Sequence, residues 1–426
     1  DFAKIIYEYL IQTDAITGRQ LCLILFDQNV LAFDEDDIAG LSGGTLAPAA
    51  FIKEKIQNLD ITPAQLALDP CAGSCVITDT QTGEVLALVS YPGYDGNRLA
   101  NTVDADYFNS LQENNARPLY NYATQQRTAP GSTFKMVSAT AGLAEHVIST
   151  TEQIQDLGVY KNVSNEPECW IYRSSHGSHG LINVSEALRD SCNYFFYEAG
   201  TRQGIDNIVK YSEQLGLGVE SGIELSEATG HVSCPEYYES VREGQVGGTW
   251  TYGNVLQSSI GQLDNAYTPL QMANYVATLA NDGTRMRSHL VKSVESYNLE
   301  ETISVTEPEV LNQVEADQEA FDQVREGMVR CSRDTTRGSA RYYFGDYPID
   351  VAAKTGTPQA SGGDLDATFI AYAPAYDPEI AVAVVVENGY SGQRGAPIAK
   401  AIFNEYFGLN EETETQQQNT DGQLIP

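Results

Sequence analysis

The feature that most limits the fold is the placement of strand-like text at both ends of the chain. "GSCVITDTQTGEVLALVSYPGYD" reads as a hairpin: two β-rich runs, Ser74–Asp79 and Val85–Ser90, flank a glycine-containing turn. Nearly 260 residues then pass before "IDVAAKTGT", "ATFIAYAP" and "EIAVAVVVENG" read as three further strands joined by turns. Between them lies a helix-rich middle from 132 to about 285, with glycine-rich loops at 216–222 and 243–253. Strands from both ends can share one core only if they share a sheet and the helices cover it. The expected class is α+β, with a mixed, mainly antiparallel sheet between helical layers.

Around this core, residues 1–70 read as an N-terminal helical segment leading into a domain over 71–408, and "LSGGTLAP" punctuates that segment. The polar, Asn- and Tyr-rich stretch 101–126 reads as a surface excursion. "IAKAIFNEYFG" reads as a C-terminal amphipathic helix, and residues 409–426 as a polar, disordered tail. No internal repeat is visible.

Charge excludes whole classes of function. Lys and Arg total 25 against 58 Asp and Glu, a net charge of −33. Such a chain does not hold nucleic acid or an anionic membrane by general charge, and any anionic ligand must be met by local cations working against that field. No apolar run reaches the roughly 18–20 residues that span a bilayer, and no secretory signal opens the chain. Because it starts mid-stream, an upstream anchor is expected. Seven cysteines in 426 residues do not read as a disulfide scaffold.

The chemistry is concentrated in three short motifs. In "RTAPGSTFKMV", Ser132 opens an apolar run and could simply be a helix N-cap. Lys135, three residues on, shares its helix face. Ser-x-x-Lys alone is weak, arising by chance about once or twice in a chain of this length. "DSCNYFF" supplies a Ser-x-Asn at Ser191 and Asn193, a motif also matched by Ser296 and Asn298. "AAKTGTPQ" supplies Lys354-Thr355-Gly356 on an expected strand followed by a turn. In this order and these contexts, the three together resemble the motif set of penicillin-binding proteins and serine β-lactamases.

At these residues the chain resembles the transpeptidase domain of class B penicillin-binding proteins, with the elongation-type branch favoured. "TGEVLALVSYPGYDGN", "RTAPGSTFKMVSATAGL", "VLQSSIGQLDNAYTPLQMANYVATLANDG" and "AVVVENGYSGQRGAPIAKAIF" extend the resemblance over roughly 70–408. It implies a peptidoglycan D,D-transpeptidase. Ser132 would attack the D-Ala–D-Ala bond of a stem peptide, with Lys135 as its base, and an amine from a neighbouring stem would resolve the acyl-enzyme. Burial and the positive end of its own helix would lower the Lys135 pKa. Ser191 would relay a proton to the leaving amine, and Asn193 would bind the substrate amide. Lys354, Thr355 and Thr357 would receive the terminal carboxylate. Gly356 would let the strand approach the peptide closely. The Ser132 and Thr357 amides would form the oxyanion hole.

The resemblance further implies acylation by β-lactam antibiotics and no cofactor for the chemistry. It implies a membrane anchor upstream, an extracytoplasmic location at a bacterial membrane and a membrane glycan polymerase as partner. Two other readings share the acylation half: a D,D-carboxypeptidase or slow β-lactamase, and a non-catalytic β-lactam sensor or wall-synthesis scaffold. There are two departures from the pattern. Gly261-Gln262-Leu263 stands where Gly-Gln-Gly is usual, and the Glu-x-x-Leu-Asn element that houses the deacylating Glu of class A β-lactamases is missing.

"CWIYRSSHGSHGLINVSEALRDSCN" gathers Cys169, His176, His179 and Cys192 in a spacing that matches no common zinc finger. Thiolates and imidazoles that converge favour Zn²⁺. The resemblance singles out Asp156, Cys169, His179 and Cys192 as a closed structural zinc site pinning the Ser191 loop, with His176 in reserve. The other cysteines, the Cys71–Cys75 pair included, read as structural.

Overall fold

The computed structural model describes residues 15–58, 60–61, 72–114, 116–358 and 365–410. Cys71, the tail beyond residue 410 and the first fourteen residues lie outside the described residues. Two compact units divide the chain, one containing the N-terminal residues and 94–104, the other 72–93 and 105–420.

In the first unit, three helices form where local chemistry starts and stops them. Thr17 caps α1 (Gly18–Asp27) in a reciprocal pair with Gln20. Asp34 accepts from the Asp37 amide to open α2 (Glu35–Gly43), and Gly44, at φ +77°, ends it. Pro48 begins α3 (Pro48–Gln57). The glycines and proline of "LSGGTLAP" thus become a stop and a start. Cys22, Leu25, Leu41 and Phe51 form the core of this unit.

The second unit is built on a five-stranded sheet. The early hairpin supplies β1 (Gly73–Asp79) and β2 (Val85–Tyr91). A short pair, β3 (Ile154–Asp156) and β4 (Gly180–Ile182), lies apart from it. The late strands are β5 (Ala352–Gly356), β6 (Ala367–Ala373) and β7 (Ile380–Val386). The order β2-β1-β7-β6-β5 is antiparallel throughout and sets β1 against β7, with Gly73 opposite Val386. Strands from the two chain ends therefore meet at its centre.

Both faces of the sheet are covered, which is why β6 and β7 read as unbroken apolar runs. Alternate side chains sort into two cores. Ile370, Tyr372, Ala381 and Ala383 join one with α8 (Pro269–Ala280), α4 (Lys135–Ala144) and α6 (Asn193–Gln214). Phe369, Ala371, Val382 and Val384 join Phe344 and Phe403, the latter from α10 (Ala396–Tyr406). Two further helices, α5 (Val184–Arg189) and α9 (Gln318–Arg333), pack on each other, and α9 also packs on β5; α7 (Tyr252–Ser259) packs on α6.

Within 101–126 the structure differs from the expected surface excursion. Ala105–Glu113 is helical and buries Tyr107 and Leu111, while Tyr122 and Ala123 are buried next to β1 and β2. Tyr122 tolerates burial because its hydroxyl donates to the Ala116 carbonyl at 2.9 Å. Its polar letter hid an apolar ring. Among the described residues no helix is long and apolar enough to cross a membrane.

Candidate active site and metal cluster

Three elements bring the motif residues together: the turn into α4, the loop between α5 and α6, and the end of β5. Gly131–Phe134 is a 3₁₀ turn, and α4 begins only at Lys135. Ser132 is therefore inside the turn rather than at a cap. It caps nothing because Pro130 and Gly131 tighten the entry. Gly131 sits at φ +54° and donates to the Gly261 carbonyl at 3.0 Å. A Cβ on Gly261, itself at φ +75°, would lie 2.2 Å from the Gly131 carbonyl oxygen, so this contact needs glycine. Tyr275 donates to the Thr133 carbonyl at 3.1 Å, and Phe134 stacks on Tyr267. The turn is held on several sides, while Ser132 stays half-buried on the cleft. Among the described residues the amides of Ser132 and Thr357 donate no hydrogen bond.

Lys135 is fully buried. Its ammonium donates to the Ser191 carbonyl at 2.7 Å, to the Ser191 hydroxyl at 3.2 Å and to Asn193 Oδ1 at 2.6 Å. Burial, and then the charge of Lys354, push its pKa down to about 7. Lys354, also buried, donates to the Ser191 hydroxyl and to the Thr355 carbonyl, both at 3.0 Å. Burial lowers its pKa too. Ser191 adopts φ +53°, an uncommon conformation for a side chain with Cβ, and this turns its hydroxyl between the two lysines. Cys192 then caps α6, its sulfur accepting from the Phe195 amide at 3.4 Å.

At the end of β5 the reason for Gly356 differs from the expected one. A Cβ there would meet the Pro130 carbonyl oxygen at 2.5 Å and Thr133 Cγ2 at 3.0 Å. The glycine lets the strand press on the turn that carries Ser132. Thr355 shares a 2.7 Å hydrogen bond with Ser339, and Thr357 accepts from the Gly392 amide at 3.0 Å.

These residues line one cleft of about 670 Å³, with Ser132, Ser191, Asn193, Thr355 and Thr357 on its walls. Sequence reasoning passed over Arg337, Ser339 and Arg341, which also line it. Their signal was available: two cations flank a Gly-Ser pair in an acidic chain.

Behind the Ser191 loop, Asp156, Cys169, His179 and Cys192 are all buried, and one ligand atom from each lies within 4.8 Å of all the others. Cys169 Sγ is 3.9 Å from Cys192 Sγ and 3.6 Å from His179 Nδ1. With Zn–S near 2.3 Å and Zn–N near 2.05 Å, a tetrahedral ion sets those edges at about 3.8 and 3.6 Å. Asp156 Oδ2 is 2.7 Å from His179 Nδ1 and 3.5 Å from Cys192 Sγ. The donor set and the two sulfur edges suit zinc, whereas the 2.7 Å contact of Asp156 with His179 is a hydrogen bond, shorter than the edge of about 3.3 Å that a tetrahedral ion would set. Nδ1 faces the cluster, and Nε2 is buried without a hydrogen-bond partner among the described residues. The hydrogen bond from the Cys192 thiol, joined by that of His179, lowers the Cys169 pKa against the effect of burial. Burial depresses His179, but Asp156 and Cys169 outweigh it and raise the imidazole to about 9. His176 is exposed beside Tyr172 and takes no part in the cluster. The free cysteines Cys22, Cys75, Cys234 and Cys331 do not join it either.

Comparison with known proteins identifies the family of the chain. Residues 73–408 match the family model described as the penicillin binding protein transpeptidase domain. Over 348 residues the chain is 30% identical to the peptidoglycan D,D-transpeptidase MrdA of Acinetobacter baumannii, covering 78% of this chain and 50% of that protein. The chain thus spans about half the length of that relative. Among solved structures, Pseudomonas aeruginosa PBP2 in complex with WCK 5153 aligns with a TM-score of 0.71 at 30% identity, covering 82% of this chain and 73% of that one. The penicillin G acyl-enzyme of penicillin-binding protein A from M. tuberculosis aligns with a TM-score of 0.67 at 30% identity, covering 79% and 75%.

Proposed function

The chain belongs to the penicillin-binding protein transpeptidase family, and from that premise we propose that it is a serine D,D-transpeptidase that crosslinks peptidoglycan stem peptides. The observation carrying this reading is the single hydroxyl of Ser191 held between the Lys135 and Lys354 ammonium groups, on the cleft that Ser132 lines.

The chemistry follows from charge and position. Ser132 is the nucleophile and needs a base. Lys135, with its pKa near 7, is substantially neutral at physiological pH and one turn away. Attack on the D-Ala–D-Ala carbonyl develops an oxyanion facing the Ser132 and Thr357 amides. Each such donor is worth about 3–4 kcal/mol in comparable sites. The proton taken from Ser132 passes through the Lys135–Ser191 hydrogen bond to the departing D-Ala nitrogen. Asn193 orients the substrate amide. Lys354, Thr355 and Thr357 take its terminal carboxylate, and Gly356 keeps β5 against the nucleophile turn. β-Lactams present the same carbonyl and acylate Ser132, as in the penicillin G acyl-enzyme of the M. tuberculosis relative.

Asp156, Cys169, His179 and Cys192 would hold a structural Zn²⁺, which supplies no chemistry to the reaction and fixes the loop bearing Ser191. The family resemblance supports the remaining context: an upstream membrane anchor, the extracytoplasmic face of a bacterial membrane and a glycan polymerase as partner. The domain carrying this activity is read as 71–408.

The deciding test is incubation with labelled penicillin, intact mass measurement and mapping by digestion. One stable adduct on Ser132 is the expected result. A folded protein with no adduct would return Ser132 to a structural residue and leave a scaffold as the better reading.

A further inference from the structure

We propose that the pocket between the 162–165 segment and the start of α7 is a saccharide subsite for the N-acetylated glycan that bears the stem peptide. This rests on the transpeptidase reading and adds a part of the substrate that the motif residues do not touch.

The lining of this pocket excludes most ligands. Its volume is about 490 Å³, within the ~300–1,000 Å³ of small-molecule sites. Asn162, Ser164 and Asn165 line one side, Thr251, Tyr252 and Asn254 the other. Among the described residues no acid or base lines it, although Asp, Glu, Lys and Arg make up 19% of the chain. An anion would enter against a net charge of −33 and find no cation, and a cation would find no carboxylate. Val163 is the one aliphatic side chain in the lining, too little to hold an apolar ligand. What fits is a neutral ligand dense in hydrogen-bonding groups.

Side-chain amides place donors and an acceptor on neighbouring atoms. Sugar hydroxyls and acetamido groups offer the matching pairs. Part of the wall is already set. Asn254 Oδ1 accepts from the Thr251 amide at 3.0 Å in the cap that starts α7, and that cap makes no use of the Asn254 amino group. Gly253 brings the two sides together, since a Cβ there would lie 3.4 Å from Asn165 Oδ1. Tyr252 is 53% exposed and offers a flat apolar ring with a polar tip, a surface suited to the face of a pyranose. A stem peptide carries at least its terminal carboxylate, which this uncharged wall does not answer.

The pocket adjoins the reacting centre. Gln257 lines both it and the cleft that holds Ser132 and Ser191, and Ile260, just past the end of α7, lines that cleft as well. The helix therefore runs from pocket to cleft, with Tyr252 and Gln257 about 7–8 Å apart along its axis. The stem peptide attacked by Ser132 is joined at its other end to a glycan of N-acetylated sugars. Each extended residue spans up to about 3.6 Å, so a stem of a few residues bridges the two neighbouring cavities.

The test compares two substrates in each protein: a thioester analogue of the stem peptide, bare or carrying its N-acetylglucosaminyl-N-acetylmuramyl disaccharide. Wild type should acylate Ser132 from the disaccharide form with a kcat/KM ~10-fold higher, the scale of one or two hydrogen bonds. Asn165→Ala and Tyr252→Ala together should bring that ratio near unity. A ratio taken within one variant cancels any loss of folded protein. Peptide-free N-acetylchitotetraose should also bind wild type, and more tightly than cellotetraose, in a calorimetric titration. A ratio near unity in wild type, a ratio unchanged in the double variant, or equal affinity for the two tetrasaccharides overturns the subsite, while acylation by the bare peptide still stands. Failure of both thioesters to acylate Ser132 would instead overturn the transpeptidase reading, and this proposal with it.

Discussion

Lys354 donates to the hydroxyl of Ser191 at 3.0 Å although the two lie 163 residues apart in the chain. The same hydroxyl takes a hydrogen bond from Lys135 at 3.2 Å. Burial penalises the charge on both ammonium groups, and at Lys135 the charge of Lys354 adds to that penalty. The cheapest relief is for one of them to give up its proton, and Lys135 is the one pushed to about 7.

The acylation rate should report this directly. Below pH 7 Lys135 is charged and cannot accept the Ser132 proton, so benzylpenicillin acylation should fall about tenfold per pH unit there and level off above. Asn193→Asp would set a carboxylate where Oδ1 now accepts from Lys135 at 2.6 Å. An opposite charge favours the ammonium, so the limb should move to higher pH. A profile flat from pH 5 to 9 in the wild type would remove Lys135 as the base.

The zinc site proposed at Asp156, Cys169, His179 and Cys192 predicts a dependence on metal that activity alone would not reveal. Protein purified without chelator should carry about one zinc, and its removal should lower Tm by several degrees, because ion binding adds to folding free energy. Cys192→Ser should abolish metal retention and loosen the Ser191 loop, since Cys192 both joins the cluster and caps α6. His176→Ala should leave metal content unchanged, because that ring is outside the cluster. Stoichiometry near zero in elemental analysis would count against the site.

The main-chain plan of the second unit was legible because its signals are periodic and local. β6 and β7 announced themselves as apolar runs that only a doubly covered sheet explains. Ser132, Lys135, Ser191 and Lys354 could be singled out because their motifs are short and ordered, and the structure sets Lys135 and Lys354 on the Ser191 hydroxyl. The Gly356 contact was not legible, since it depends on the Pro130 carbonyl being folded against β5. Tyr122 was misjudged because a tyrosine's polarity is one atom of its surface.

Gly356→Ala tests the packing of β5 on the nucleophile turn. The added methyl would sit 2.5 Å from the Pro130 carbonyl oxygen, part of the main chain and unable to swing aside. Forcing atoms into a filled site typically costs about 1–3 kcal/mol. The cost should fall on Ser132: acylation should slow by at least tenfold while far-UV circular dichroism stays that of the wild type. A variant that acylates at the native rate would mean that the turn and strand move independently.

The Gly261-Gln262-Leu263 segment explains its own departure from the usual pattern. Leu263 lies at φ +66°, a conformation that glycine adopts freely and a side chain with Cβ does not. The backbone keeps the shape of a glycine position even though leucine occupies it, because Gly261 beside it is fixed against Gly131. A leucine in the left-handed region costs about 1–2 kcal/mol. Glycine loses part of that gain to the greater freedom of the unfolded chain, about 0.5–1 kcal/mol. Leu263→Gly should therefore stabilise the protein by about 0.5–1 kcal/mol, visible as a small rise in Tm, with penicillin acylation of Ser132 preserved. A fall in Tm would show that the Leu263 side chain contributes packing that outweighs its backbone strain.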